Sequence, residues 1–108
     1  MERKLTYEEA LTIAKKFAER VYTDLDSHAE VYLYGSIVRA QNHPRSDIDI
    51  AVVSKVFTDD VCNNYAIVNI LAFDIDDNID AQAIIYDDWV NKTPFTAEVE
   101  KQGVLIAQ

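Results

Sequence analysis

Glycine and proline are scarce, with two of each in 108 residues, and no low-complexity run is present. Flexible and disordered segments are rich in such residues and poor in apolar ones, whereas here 49% of the residues are hydrophobic. The composition is that of an ordered globular domain. Basic residues are also few, ten Lys and Arg against nineteen Asp and Glu, a formal charge of −9 at pH 7. A module that grips a nucleic-acid duplex carries a basic patch, so that class is disfavoured. A nucleotide is not, because a divalent cation bridges carboxylates and phosphates. The single cysteine, Cys62, excludes an intrachain disulfide and a cysteine metal cluster. No apolar run approaches the roughly 18 residues that a membrane-spanning helix needs. The start, Met1-Glu2-Arg3-Lys4, leads into a charged amphipathic stretch and not into the apolar segment of a signal peptide. The expected location is the cytoplasm.

The length points to one domain over residues 1–108. A chain of this size buries roughly 60–70% of the surface its unfolded form exposes, enough for one core but not for a large cleft between two lobes. A second substrate would therefore be met by an open face or by another chain.

Thr6 followed by Glu9 is a capping-box pattern, and Ala10, Ile13, Ala14, Phe17 and Val21 then recur at helical spacing. A helix is expected over residues 6–25. Residues 30–34 are β-branched and aromatic, a strand that runs into Gly35-Ser36. A short helix is expected over residues 37–41, followed by a loop in which Pro44 bars continuation. Residues 47–53 read as a second strand, residues 59–73 as a helix and residues 79–86 as a third strand. One or two short helices follow over residues 87–103, with Gly103 as a terminal cap. The order α-β-α-β-α-β-α describes an α/β (α+β) domain, a small mixed β-sheet with helices packed on it.

Asp47 and Asp49 are two apart on a strand, so both point to one face and can reach one divalent ion. In isolation Asp-X-Asp is also what a solvated strand edge shows. Here Ile48, Ile50, Val52 and Val53 mark a core strand, where two acids at the start are costly unless solvated or metal-bound. Upstream, Gly35-Ser36 at the start of a helix would offer backbone N–H groups and a hydroxyl, the parts that hold a phosphate. Gly-Ser alone is an ordinary turn; the pairing of the two features is what carries weight.

Ten residues separate Ser36 from Asp47, in the stretch Tyr-Gly-Ser-Ile-Val-Arg-Ala-Gln-Asn-His-Pro-Arg-Ser-Asp-Ile-Asp-Ile. This pattern resembles the DNA polymerase beta-like nucleotidyltransferase superfamily, and within it the minimal nucleotidyltransferases of antitoxin type. Their signature is Gly-Ser, ten residues, Asp-X-Asp. Arg39 and Ser46 fall where the family often has a basic residue and a serine. Ala40 departs from it, since relatives commonly have glycine there. The third carboxylate of the family is matched by Asp80 at the start of the third strand, with Asp74, Asp76 and Asp77 as rivals in the preceding turn.

The resemblance implies a polymerase beta-like fold and a Mg²⁺-dependent nucleotidyltransferase. Asp47, Asp49 and Asp80 would be catalytic and hold two Mg²⁺ ions. Gly35, Ser36, Arg39 and Arg45 would bind the triphosphate of the substrate, ATP. Transfer of AMP to a hydroxyl is implied, on a helical HEPN-type toxin partner with this chain as antitoxin, in a homo- or hetero-oligomer. The alternative is a silent nucleotidyltransferase-fold module that binds and neutralises or scaffolds a partner protein. A sugar-nucleotide transferase also uses Asp-X-Asp, but it needs a much larger domain. His28 and His43 lack metal-ligand spacing and read as surface residues. Cys62 reads as a small apolar filler, and Trp89, Phe95, Val99, Leu105 and Ile106 as core or lid packing.

Overall fold

The computed structural model describes residues 4–44 and 46–106. Arg45, an expected phosphate ligand, lies outside the described residues. Helix α1 (Tyr7–Asp24) opens on the capping box: the Thr6 hydroxyl accepts from the Glu9 N–H at 3.1 Å, and the Glu9 carboxylate accepts from the Thr6 N–H at 3.0 Å. Such a cap contributes about 0.5–2 kcal/mol. Its apolar stripe, Ala10, Ala14, Phe17, Ala18 and Val21, is buried.

The remaining elements are β1 (Glu30–Tyr34), β2 (Ile48–Ser54), α2 (Val61–Phe73), β3 (Ile79–Ile85), α3 (Tyr86–Asn91), α4 (Pro94–Gln102) and β4 (Val104–Leu105). The sheet runs β3-β2-β1-β4, with β2 parallel to β3 and β1 antiparallel to both β2 and β4. The parallel pair is bridged by α2, as a parallel connection requires. One sheet face presents Val31, Leu33, Ile48, Ile50, Val52 and Ala81 to α1 and α2. Fully buried side chains of this size contribute roughly 1.5–3 kcal/mol each. The other face presents Ala51, Val53 and Ile84 to Trp89 and Val99 of the short C-terminal helices. Tyr32 stacks on Trp89 there at 5.1 Å between ring centroids. The fold class is the expected one, a small mixed β-sheet with helices packed on it.

Several boundaries and two elements differ from expectation. The helix starts at Val61 because Asp60 is its N-cap, accepting from the Asn63 N–H at 3.1 Å. Residues 37–41 form no helix. They are a single turn, closed where the Gln41 N–H donates to Ser36 O at 2.8 Å and the Ala40 N–H to Ile37 O at 3.4 Å. That pair of bonds is the Schellman closure, which needs a left-handed residue, and Ala40 takes φ 56°. Strand β4 was not expected. It is two residues long and exists by pairing with Tyr32 and Leu33 of β1. Gly103 does cap α4, but with φ −75°; a Cβ there would overlap the Val99 carbonyl oxygen, so close approach and not handedness requires glycine. Cys62 is exposed and is not core filler, because it faces away from the sheet on α2. Trp89, Val99 and Ile106 are buried core residues, Phe95 is partly exposed but packs on Tyr34, and Leu105 is exposed. Among the described residues no helix is long and apolar enough to cross a membrane.

Candidate active site

The end of β1 and the beginnings of β2 and β3 meet at one margin of the sheet. Because β1 runs against β2 and β3 runs with it, Asp49 is paired in register with Tyr34 on one side and with Asp80 on the other. Asp47 precedes β2 and is exposed, while Asp49 and Asp80 are half-buried. The alternation of the strand places Asp47 and Asp49 on the face that Ala51 and Val53 share further along. At its far end that face is covered by Trp89 and Val99. At the acidic end it is open.

Gly35 lies directly against Asp49. Its φ is +86°, and a Cβ on it would overlap Asp49 Oδ2 and stand 2.9 Å from Cγ. Glycine is thus required twice, by backbone conformation and by space. Beyond it the chain turns through Ser36–Ala40, where the Arg39 N–H donates to Gly35 O at 3.2 Å. No helix dipole stands behind this turn. Its capacity for an anion rests on backbone N–H groups and the Ser36 hydroxyl, which has no hydrogen-bond partner among the described residues.

Asp49 is pushed up to about 6, first by desolvation, then by the charges of Asp80 and Asp47, with Arg39 opposing. The same surroundings raise the Tyr34 phenol, through burial and the nearby Asp49 and Asp80 carboxylates. The Arg39 guanidinium is exposed and held by neutral amides, donating to Gln41 Oε1 at 3.2 Å and Gln102 Oε1 at 3.4 Å. Among the described residues its charge is not paired with a carboxylate.

A cavity of about 240 Å³ lies over this margin, lined by Tyr34, Gly35, Arg39, Asp49, Phe95, Glu98 and Gln102. Phe95 meets Tyr34 edge to face, with centroids 5.7 Å apart. Of the wall from α4 the sequence offers Phe95 as core or lid packing, but nothing in Glu98 and Gln102 ties them to a motif some fifty positions upstream. Of the rivals to Asp80, Asp74 receives a hydrogen bond from Arg20 at 2.9 Å and Asp76 accepts from the Asn78 N–H at 2.8 Å. Both belong to the turn before β3. Ser46 closes its loop by accepting from the His43 N–H at 2.9 Å, while its own N–H donates to His43 O. The two histidines are exposed, as expected.

Asp47, Asp49 and Asp80 are hard oxygen donors that crowd one another, the environment a small divalent cation relieves. Among the described residues no three His, Cys, Asp or Glu side chains converge tightly enough to enclose an ion. Mg²⁺ does not require that, since it keeps water and takes further ligands from substrate phosphate.

A tight glycine turn set against paired acids at a sheet margin is an arrangement that a nucleotide-handling α/β domain would use. The chain belongs to the nucleotidyltransferase domain family, whose sequence model matches residues 12–105. Among solved structures it is similar to a protein of Sulfolobus solfataricus described as a candidate nucleotidyltransferase, with 25% identity, a TM-score of 0.67, and coverage of 97% of this chain and 89% of that one. It also shares its fold with two structures of a toxin–antitoxin pair, MntA–HpeT. One, a tyrosine-to-alanine mutant, has 23% identity, a TM-score of 0.59, and coverage of 85% of this chain and 69% of that one. The other carries two aspartate-to-glutamate changes, with 21% identity, a TM-score of 0.60, and coverage of 87% and 72%. No curated protein sequence matches.

Proposed function

We propose that this nucleotidyltransferase transfers AMP from ATP to a hydroxyl, in the presence of Mg²⁺, and that the hydroxyl belongs to a HEPN-type toxin for which the chain is the antitoxin. The observation that carries the reading is the meeting of Gly35, Asp49 and Asp80 at one point, brought from three strands.

In this reading Asp47 and Asp49 would hold Mg²⁺, and Asp80 would help complete a second site. Bound there, the ions would neutralise the triphosphate and the departing pyrophosphate. The Gly35 backbone and the Ser36 hydroxyl hold the β- and γ-phosphates, and Arg39, with Arg45, balances the charge released on pyrophosphate. The acceptor oxygen bonds to the α-phosphorus as the bond to the bridging oxygen of pyrophosphate breaks, and Asp80 receives the acceptor's proton. The edge-to-face pair Tyr34–Phe95 gives the cavity an apolar wall.

The antitoxin role is supported by the shared fold with MntA–HpeT. In one of those structures the mutated aspartates are two positions apart, the spacing of Asp47 and Asp49. The alternative is a silent module that binds and neutralises or scaffolds a partner protein without turnover.

Calorimetry with a non-hydrolysable ATP analogue, with and without Mg²⁺, tests the site. Mg²⁺-dependent binding that Asp49→Ala abolishes supports transfer. Binding that is absent both from the wild type and from its complex with the partner sinks it and leaves the silent module.

A further inference from the structure

Helix α2 (VCNNYAIVNILAF) carries no acidic or basic side chain, and its apolar residues are spread around the whole circumference. A helix of that kind is ordinarily enclosed by protein. This one is enclosed on one side only. Asn64, Val68 and Ala72 face the core, whereas Cys62, Ala66, Ile70 and Phe73 form an outward stripe at spacings of four, four and three. Ile70 is 67% exposed and Phe73 72%, values without reason on a face meant for water. Tyr65, at 48%, borders the stripe.

The charge along this stretch of chain is of one sign. Between Lys55 and Lys92 the sequence holds eight aspartates and no lysine, arginine, histidine or glutamate. Asp59 and Asp60 stand at the start of α2, and Asp74, Asp76 and Asp77 at its end. From α1, Arg20 reaches the rim engaged with Asp24 and Asp74, and Lys16 stands near Ile75 with Glu19 and Asp24 beside it, so acids still outnumber bases at this end. The occupant therefore has basic ends. A second copy of the chain is disfavoured, because stacking α2 on α2 in either direction sets aspartates against aspartates.

The neighbouring sheet edge narrows the choice further. Asn69, on α2, donates its side-chain N–H to Ala81 O at 2.8 Å and accepts from the Ala81 N–H at 3.1 Å. These are the two bonds that a neighbouring strand would make at Ala81. The middle of the β3 edge is already taken, so an added strand does not fit and a helix does.

We propose that the outer face of α2 docks an amphipathic helix of a partner protein, one with an apolar stripe and Lys or Arg at both ends. The face is remote in kind from the acidic margin, and docking on it needs neither nucleotide nor metal. Failure of this proposal therefore leaves AMP transfer standing, and a silent transferase leaves this proposal standing.

The test is titration of the ¹⁵N-labelled full chain, without nucleotide or metal, with two synthetic 18-residue helical peptides. Both carry the same leucine stripe; one ends in lysines and the other in glutamates. The expected result is amide shifts centred on residues 61–73 with the lysine peptide, at least tenfold weaker binding of the glutamate peptide, and weakening of the first by added salt. Ile70→Ser/Phe73→Ser, two exposed changes whose folding is checked by circular dichroism, should cost at least tenfold in affinity. Absence of shifts on α2, or equal binding of the two peptides, overturns the proposal. So does a dimer of the chain alone, seen by sedimentation and dissolved by Ile70→Ser/Phe73→Ser.

Discussion

Gly35 and Asp49 are packed so closely that no side chain fits between them: a Cβ on Gly35 would overlap the Asp49 carboxylate and touch its Cβ at 3.0 Å. Gly35→Ala therefore has two costs. The left-handed backbone, φ +86°, costs an L-residue about 1–2 kcal/mol, and the displaced carboxylate adds about 1–3 kcal/mol of overpacking. Urea denaturation should show the loss of stability. Calorimetry should show that Mg²⁺-dependent binding of the ATP analogue falls even in the fraction that remains folded. A Gly35→Ala chain that binds the nucleotide as the wild type does would remove Gly35 from the site.

Asp49 gives a pH dependence of defined sign. Its folded value, about 6, lies above the ordinary 3.8, so between those limits the folded state holds more proton than the unfolded one. Its contribution to stability is full below about 4 and is lost as pH rises through about 6. Asp49→Asn removes this term, and without metal at pH 7.5 it should be the more stable protein. Solvent screening at the open margin limits the gain to about 1 kcal/mol, a rise in Tm of roughly 4–8 °C. The difference in Tm between the two should shrink as the pH is lowered to 4.5. Added Mg²⁺ should raise Tm for the wild type alone.

Ala40 occupies the left-handed position that closes the Ser36–Gln41 turn. Ala40→Gly should raise stability by about 0.5–1 kcal/mol, the conformational cost of alanine there less the extra freedom of glycine in the unfolded chain. A fall in the urea midpoint would show that the turn does not hold this conformation in solution.

Asn69→Ala leaves the Ala81 N–H and C=O without their partners. The expected cost is about 1–3 kcal/mol, together with concentration-dependent association through the opened β3 edge. Denaturation and light scattering report the two effects separately.

Much of this architecture is legible in the residues. Thr6 and Glu9 announce the start of α1, alternating apolar residues give β1 and β2 to within one position, and the spacing from Gly35-Ser36 to Asp47 and Asp49 identifies the sheet margin. The rest depends on what folding brings together. Val104 and Leu105 become a strand only by pairing with β1, far earlier in the chain. Ala40 gives no hint of a left-handed turn, since alanine ordinarily favours helix. On α2 the absence of any charged face hides which side meets the core, so Val61 and Ile70 look buried and are not. The place of Glu98 and Gln102 in the cavity wall is invisible for the same reason as β4. It is a matter of tertiary closure.

That wall has a consequence for the timing of biosynthesis. The acidic margin is complete once β3 has been made, but Phe95, Glu98 and Gln102 belong to α4, near the other end of the sequence. On a ribosome, which releases the chain from its N-terminus, α2 and the carboxylates emerge first and the cavity last. A nascent chain would thus have made the outer face of α2 before it has a chamber in which to work.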